Sequence, residues 1–153
     1  MLVVEPHLAG TFLDGAALLL RSRPVIAMTL RYDRLDHFWF VLFHELVHVK
    51  YHLRKGVVDV VFDDLDVEGV DELEREADVR AGELLIPEST WKNAVARYTR
   101  SQAAVEAFAN EIGINPAIVA GRIRHEGKNY VILNELVGQG KARKSFPDVL
   151  FGT

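Results

Sequence analysis

Apolar residues are unevenly spread along the chain. Their densest run, His37 to Leu53 (HFWFVLFHELVHVKYHL), places its polar residues late and meets no Gly or Pro before Gly56. At that length it predicts a helix, largely buried at its start. Asp33 and Asp36 are candidate caps for its beginning and Gly56 for its end. A second periodic stretch spans Asp71 to Ile86, with Leu73, Ala77, Ala81, Leu84 and Leu85 at helical spacing. Acidic residues crowd its first turn, where they suit the helix dipole, and Pro87 ends it. Leu2 to Val4, Val25 to Leu30 and Val57 to Phe62 are β-like runs, and Asp14-Gly15 reads as a turn. A third helix starts near Glu88 to Trp91 and extends towards Arg100. Ala103 to Arg124 reads as two short helices broken at Gly113-Ile114-Asn115-Pro116, with Asn115 as N-cap and Pro116 at the first helical position. Tyr130 to Val137 fits either helix or strand, and Gly138-Gln139-Gly140 a loop.

Composition narrows the chemistry. The 153 residues suffice for one domain with a proper core. Cysteine is absent, so any metal must sit on His, Asp, Glu or water, and no disulfide framework exists. No apolar run approaches the ~20 residues of a membrane span, and the N-terminus lacks the pattern of a signal peptide. A cytoplasmic location is therefore expected. The net charge of −4 is unevenly distributed: residues 61–90 alone carry a net of −9. That acidic block is a solvated helix face or an attractor for a metal or a basic partner. The C-terminal third is basic, but too weakly to predict nucleic-acid binding.

The chemistry concentrates in His44-Glu45-Leu46-Val47-His48, inside the apolar helix. Two His four apart share one helix face and can grip one metal at ~2.0–2.1 Å without bending the backbone. Glu45, directly after the first ligand, can reach an activated water without binding the metal itself and act as the catalytic base. Burying two imidazoles and a carboxylate is costly unless they are paired or bind a metal. A hydrolytic site needs a third protein ligand and an open fourth position. In LEREADVRAGELLIP, Glu74 and Asp78 share a face; one can ligate while the other orients a ligand His through its second ring nitrogen. Asp71, Glu72 and Glu76 compete for the ligand role, but Glu74 lies beside the Leu73/Ala77/Ala81 stripe and is better placed to face inward. The ligand set favours Zn2+, with Mn2+ or Fe2+ as alternatives.

FHELVH followed some 25 residues later by LEREADVRAGELLIP resembles the ImmA/IrrE family of metallopeptidases, over roughly Leu19 to Trp91 and more loosely to the C-terminus. The resemblance implies an α+β, zincin-like fold: a small sheet packed on several helices, with the metal between the first two long helices and a helical C-terminal part. It implies His44, His48 and Glu74 as ligands, Glu45 as the catalytic Glu, and Asp78 as a partner of a ligand. Val47 departs from the family, which often has Gly there. We expect one domain over 1–153, with a catalytic core at 1–100 and a helix-turn-helix-like extension at 101–153. Many relatives carry an upstream DNA-binding domain, so this chain is expected to be a standalone peptidase or a piece of a longer one. The implied activity is zinc-dependent endopeptidase. Its implied substrate is a cytoplasmic helix-turn-helix repressor in a stress, mobile-element or toxin–antitoxin system. The alternative is a non-catalytic regulatory or antitoxin-associated binding domain that keeps the fold.

Other residues are weighed beside these. His52 continues the four-residue spacing and is expected to support a ligand or pack structurally. Tyr98, His125 and Tyr130 are candidate oxyanion donors. VIAMTL (Val25 to Leu30) is a candidate edge strand for binding substrate in extended form. The segment 115–128, with Arg122, Arg124 and His125, has helix-turn-helix spacing, but its basic residues are few and late. We expect a packed helical hairpin there rather than a direct contact with nucleic acid.

Overall fold

The computed structural model describes residues 1–7, 10–53, 60–62 and 70–151, of which 60–62, 70 and 71 are described by their backbone. The architecture is α+β: a small four-stranded sheet at one side, helices at the other, and the apolar helix between them. In chain order the strands are β1 (Leu2–Val4), β2 (Gly15–Leu20), β3 (Arg23–Met28) and β4 (Val60–Phe62). Their order in the sheet is β1-β3-β2-β4, with β1 parallel to β3 and the other pairs antiparallel.

Strand β2 is a feature the sequence pattern did not reveal. GAALLL has no polar alternation, and its hairpin to β3 turns on Arg21 and Ser22, both at positive φ. Two such residues make the primed turn that matches the twist of a hairpin, but the usual Asn-Gly or Asp-Gly signal is missing. The Asp14-Gly15 pair is not a turn: Gly15 opens β2 and pairs with Met28. The β-augmentation reading of VIAMTL also fails. β3 is flanked on both sides, by β1 and β2, so its backbone groups are already engaged and it has no edge to offer.

Helix α1 (Leu35–Val47) lies across the sheet, and the chain continues through one wider π-helical turn, His48–His52. Neither predicted Asp caps it. Its N-cap is Arg34, whose guanidinium forms a two-pronged pair with Asp36 at 2.8 and 2.9 Å. The free N–H groups of Leu35 and Asp36 are taken by the carbonyl of Val137. Asp33 instead accepts from the backbone N–H of Arg143. The predicted stop at Gly56 and the first residues of the Val57 run lie outside the described residues. Met28, Val4, Ile26, Leu30 and Val41 form the core between sheet and α1.

Helix α2 (Val70–Leu85) lies against α1, with Ala77 and Ala81 fully buried at the contact. Beyond Pro87 the expected single helix is two, α3 (Glu88–Trp91) and α4 (Val95–Thr99). Trp91 and Ala96 are both fully buried. On one continuous helix they would point about 140° apart, so the chain breaks between them to bury both. Helices α5 (Gln102–Ile112) and α6 (Pro116–Glu126) follow as expected, the second opened by Asn115, whose side chain accepts from Ala117 N–H. They form a second core with Trp91, Val105, Phe108 and Ile123. Tyr130 to Val137 is neither helix nor strand but a series of turns. Local side-chain bonds from Asn129 and Asn134 hold it, while Ile132, Leu136 and Val137 pack on the helical core. No helix among the described residues is long and apolar enough to cross a membrane.

Candidate metal centre

The last turns of α1 point three histidines at α2. His44 and His48 are buried, and Glu74 of α2 meets them from the facing helix. His44 Nε2 lies 2.8 Å from Glu74 Oε2 and 2.9 Å from His48 Nε2; His48 Nε2 lies 3.3 Å from Glu74 Oε1. The ligand-type atoms of the three residues fall within 4.8 Å of one another. Glu74 sits on the inward side of α2 because Ala77 and Ala81, one and two turns on, let that face approach α1 closely. Its competitors do not join the cluster: Glu72 is exposed, Glu76 pairs with Arg80 at 2.6 Å, and the side chain of Asp71 lies outside the described residues.

Behind the cluster stands a row of supporting groups. Asp78 Oδ1 accepts from His44 Nδ1 at 3.0 Å, which places the hydrogen on Nδ1 and leaves the Nε2 lone pair aimed at the cluster. His52 Nδ1 is 2.8 Å from His48 Nδ1, and Glu76 Oε2 is 3.6 Å from His52 Nε2. The π-helical turn sets this contact, bringing the two rings edge to face with centroids 4.7 Å apart. Single π turns of this kind gather at functional sites. Burial, reinforced by His48, holds the His52 imidazole below its ordinary pKa, which favours the neutral form. Burial raises the Glu74 carboxyl, but the His44 and His48 imidazoles beside it outweigh that and hold its pKa at about 2. Glu74 is thus a carboxylate.

The donor set fits a cation. Two imidazole Nε2 atoms and the Glu74 carboxylate are three ligand groups, crowded at 2.8–3.3 Å from one another, which leaves a fourth position open. A tetrahedral ion with bonds of ~2.0–2.1 Å holds its ligand atoms about 3.3 Å apart, close to this spacing.

Glu45 is 0% exposed, held where α1 crosses the start of β2. The contact depends on Gly15: a Cβ there would stand 2.5 Å from Glu45 Oε1 and 2.7 Å from Val41 Cγ1. Neither pattern nor motif pointed to Gly15, because its partner lies thirty residues away.

A groove of about 610 Å³ opens beside the cluster, between α1, α2 and α6. Phe40, Asp78, Val79, Ile118, His125 and Tyr130 are among the residues that line it. Phe40 links it to the metal ligands, its ring 6.3 Å from that of His44 and stacked 6.4 Å from that of His125. Of the three oxyanion candidates, His125 and Tyr130 thus line the groove. Tyr98 does not reach it: it is 70% exposed on α4 and donates to the Lys92 carbonyl. The basic residues of α6 are turned to the protein. Arg122 pairs with Glu88 and donates to the Ile86 carbonyl, and Arg124 is buried and donates to the Tyr130 carbonyl. α6 is packed as the second helix of a hairpin on α1.

No protein of curated function matches the chain. A family model does: the peptidase M78 family, described as the IrrE N-terminal-like domain, matches residues 10–124. That span takes in β2, β3, the whole of α1 and α2 and most of α6, and so every residue of the cluster. A metallopeptidase-type domain with a His/Glu group able to hold a metal ion is what fold, site and family match have in common, and the chain belongs to the IrrE N-terminal-like peptidase family.

Proposed function

We propose that this chain is a zinc-dependent endopeptidase in which His44, His48 and Glu74 hold the metal and Glu45 is the catalytic base. The observation that carries the reading is the convergence of the two Nε2 atoms and the Glu74 carboxylate on one point, with Asp78 behind one imidazole and His52 behind the other. Zinc favours this nitrogen and oxygen set over manganese or iron on ligand type. When bound, it would supply a Lewis acid that polarises the scissile carbonyl and eases deprotonation of water.

The rest falls to the chain's own residues. A Glu45 carboxylate oxygen takes a proton from the attacking water as its oxygen bonds to the carbonyl carbon. When the C–N bond breaks, Glu45 returns that proton to the leaving nitrogen. Complete burial and the close seat on Gly15 hold that carboxylate in one place. Asp78 and His52 fix the ring orientations and tautomers of His44 and His48. His125 and Tyr130, which line the groove, are the candidate donors to the carbonyl oxygen of a bound substrate.

The substrate we propose is a cytoplasmic protein, by family habit a helix-turn-helix repressor in a stress, mobile-element or toxin–antitoxin system. We read residues 1–153 as one peptidase domain, with 101–153 as its helical buttress, because α6 and the Val137 carbonyl both seat on α1.

The decisive experiment is metal content of the purified protein, wild type beside His48→Ala and Glu45→Gln. Wild type and Glu45→Gln should hold about one zinc per chain and His48→Ala should lose it. A wild-type protein that holds no metal after reconstitution overturns the reading, and the non-catalytic binding domain takes its place.

A further inference from the structure

The groove beside the cluster has a chemistry of its own. Its walls are apolar where α1, α2 and α6 face one another, at Phe40, Val79 and Ile118. Val79 is 68% exposed on an otherwise charged stretch of α2. A volume of about 610 Å³ falls within the ~300–1,000 Å³ of typical ligand sites. The groove adjoins the metal centre through Asp78, which both lines it and holds His44 at 3.0 Å.

Its charge is one-sided. Asp36, Asp78, Glu83, Glu88 and Glu126 line it, against the guanidiniums of Arg34 and Arg122. Both guanidiniums are committed, Arg34 to Asp36 at 2.8 Å and Arg122 to Glu88 at 2.5 Å and Glu126 at 3.2 Å. His37 faces Asp14 at 3.3 Å and His125 stacks on Phe40. Arg97, from outside the lining, also pairs with Glu88 and Glu126, each at 3.2 Å, and Glu83 accepts from the Glu88 backbone N–H. Among the described lining residues the carboxylates still outnumber the cations they meet, and neither Arg34 nor Arg122 is left over for an acidic ligand.

We propose that this groove seats the substrate polypeptide, and that it selects a segment carrying a large apolar side chain flanked by Lys or Arg. The link to cleavage rests on the peptidase reading; the binding itself does not. The apolar side chain fills the space between Phe40, Val79 and Ile118, and the acidic rim meets the flanking cations. Charge complementarity of this kind sets specificity and association more than raw affinity.

The test uses the full chain as zinc-loaded Glu45→Gln, which leaves a bound peptide uncut. The probes are two sets of short peptides with a central benzophenone-bearing apolar residue, flanked in one set by Lys/Arg and in the other by Asp/Glu. The basic set should bind about tenfold more tightly or better, and rising salt should narrow the gap. Photo-crosslinks should fall on Phe40, Val79 or Ile118. Val79→Arg, and Glu83→Gln, which removes the charge but keeps an oxygen to accept from the Glu88 N–H, should weaken the basic set severalfold to about tenfold while zinc content and melting temperature stay near the parent's. Equal binding of both sets overturns the proposal. So do crosslinks elsewhere, variants with unchanged affinity, or a second copy of the chain that occupies the groove and excludes both sets. If the basic peptides seat as described but the zinc-loaded wild type leaves them intact, the groove assignment stands and the peptidase reading fails. If the wild type cuts peptides with no regard to the groove variants, the peptidase reading stands and the groove assignment fails.

Discussion

Gly15→Ala is the smallest change that should separate the catalytic base from the metal ligands. An added Cβ would stand 2.5 Å from Glu45 Oε1, 2.7 Å from Val41 Cγ1 and 3.0 Å from Glu45 Cγ, all inside van der Waals contact. Two of the three neighbours belong to Glu45, and Val41 is itself a core residue between α1 and the sheet. Neither can withdraw freely, so either the Glu45 side chain swings or β2 and α1 move apart. Overpacking of this kind costs ~1–3 kcal/mol. At about 2–4 °C per kcal/mol for a chain of this size, the melting temperature should fall by roughly 2–12 °C. A misplacement of about 1 Å at a reacting group costs on the order of 10²-fold in rate. Zinc content should remain at the wild-type level, because the clash touches no ligand. The assays are metal analysis, a thermal melt and turnover of a quenched-fluorescent peptide mixture. A double-mutant cycle isolates the cause. In a Glu45→Ala background two of the three clashes vanish, so Gly15→Ala should cost at least about 0.5 kcal/mol less there than in the wild type. If Gly15→Ala melts and turns over like the wild type, or if Glu45→Ala brings no relief, the close seat of Glu45 on β2 is not what positions the base.

Asp78→Ala removes the acceptor at His44 Nδ1 and should weaken zinc binding ~10–100-fold, read by competition with a chelating dye, with the far-ultraviolet circular dichroism unchanged. His52→Phe should act in the same direction through His48, and a variant that binds zinc at wild-type affinity would make His52 a packing residue only. Asn115→Ala deletes the side-chain cap of α6 and should cost about 1 kcal/mol in a denaturant melt without changing zinc content. Trp91→Ala empties a fully buried site and removes the indole N–H that donates to Glu126 at 2.7 Å. It should cost ~3–5 kcal/mol, measured by the same denaturant titration.

What the sequence made legible was set by distance along the chain. His44 and His48 share a face by local helix geometry alone, so their approach within 2.9 Å is readable from spacing. Glu74 was readable in part, because Ala77 and Ala81 mark the side of α2 that can come close to another helix. The cap of α6 was readable because Asn115-Pro116 carries both signals within two residues. The cap of α1 was not: Asp33 and Asp36 looked suitable, but the groups are met by a carbonyl a hundred residues later. Strand β2 escaped because its residues are apolar without alternation, and its turn uses Arg21 and Ser22 where Gly or Asn would have announced it. The wider turn at His48–His52 also left no mark, since four-residue spacing is common to both helix types.

The position of α1 explains why a motif can announce chemistry without fixing a site. Three glycines mark where other parts of the chain come closest to that helix. Gly15 of β2 meets Glu45, Gly121 of α6 meets Asp36, and Gly138 meets Leu35, each at a distance a Cβ would not allow. Two of these contacts grip the first turn of α1 and one grips the turn that bears the base. With Ala77 and Ala81 of α2 closing the remaining side, α1 is held against rotation by small residues drawn from four separate segments. A turn of the helix by a few tens of degrees would leave His44 and His48 on a common face, yet carry their Nε2 atoms away from Glu74 and the Glu45 carboxylate off its seat. The His-Glu-x-x-His spacing therefore supplies the ligands, and the distant small residues supply the aim.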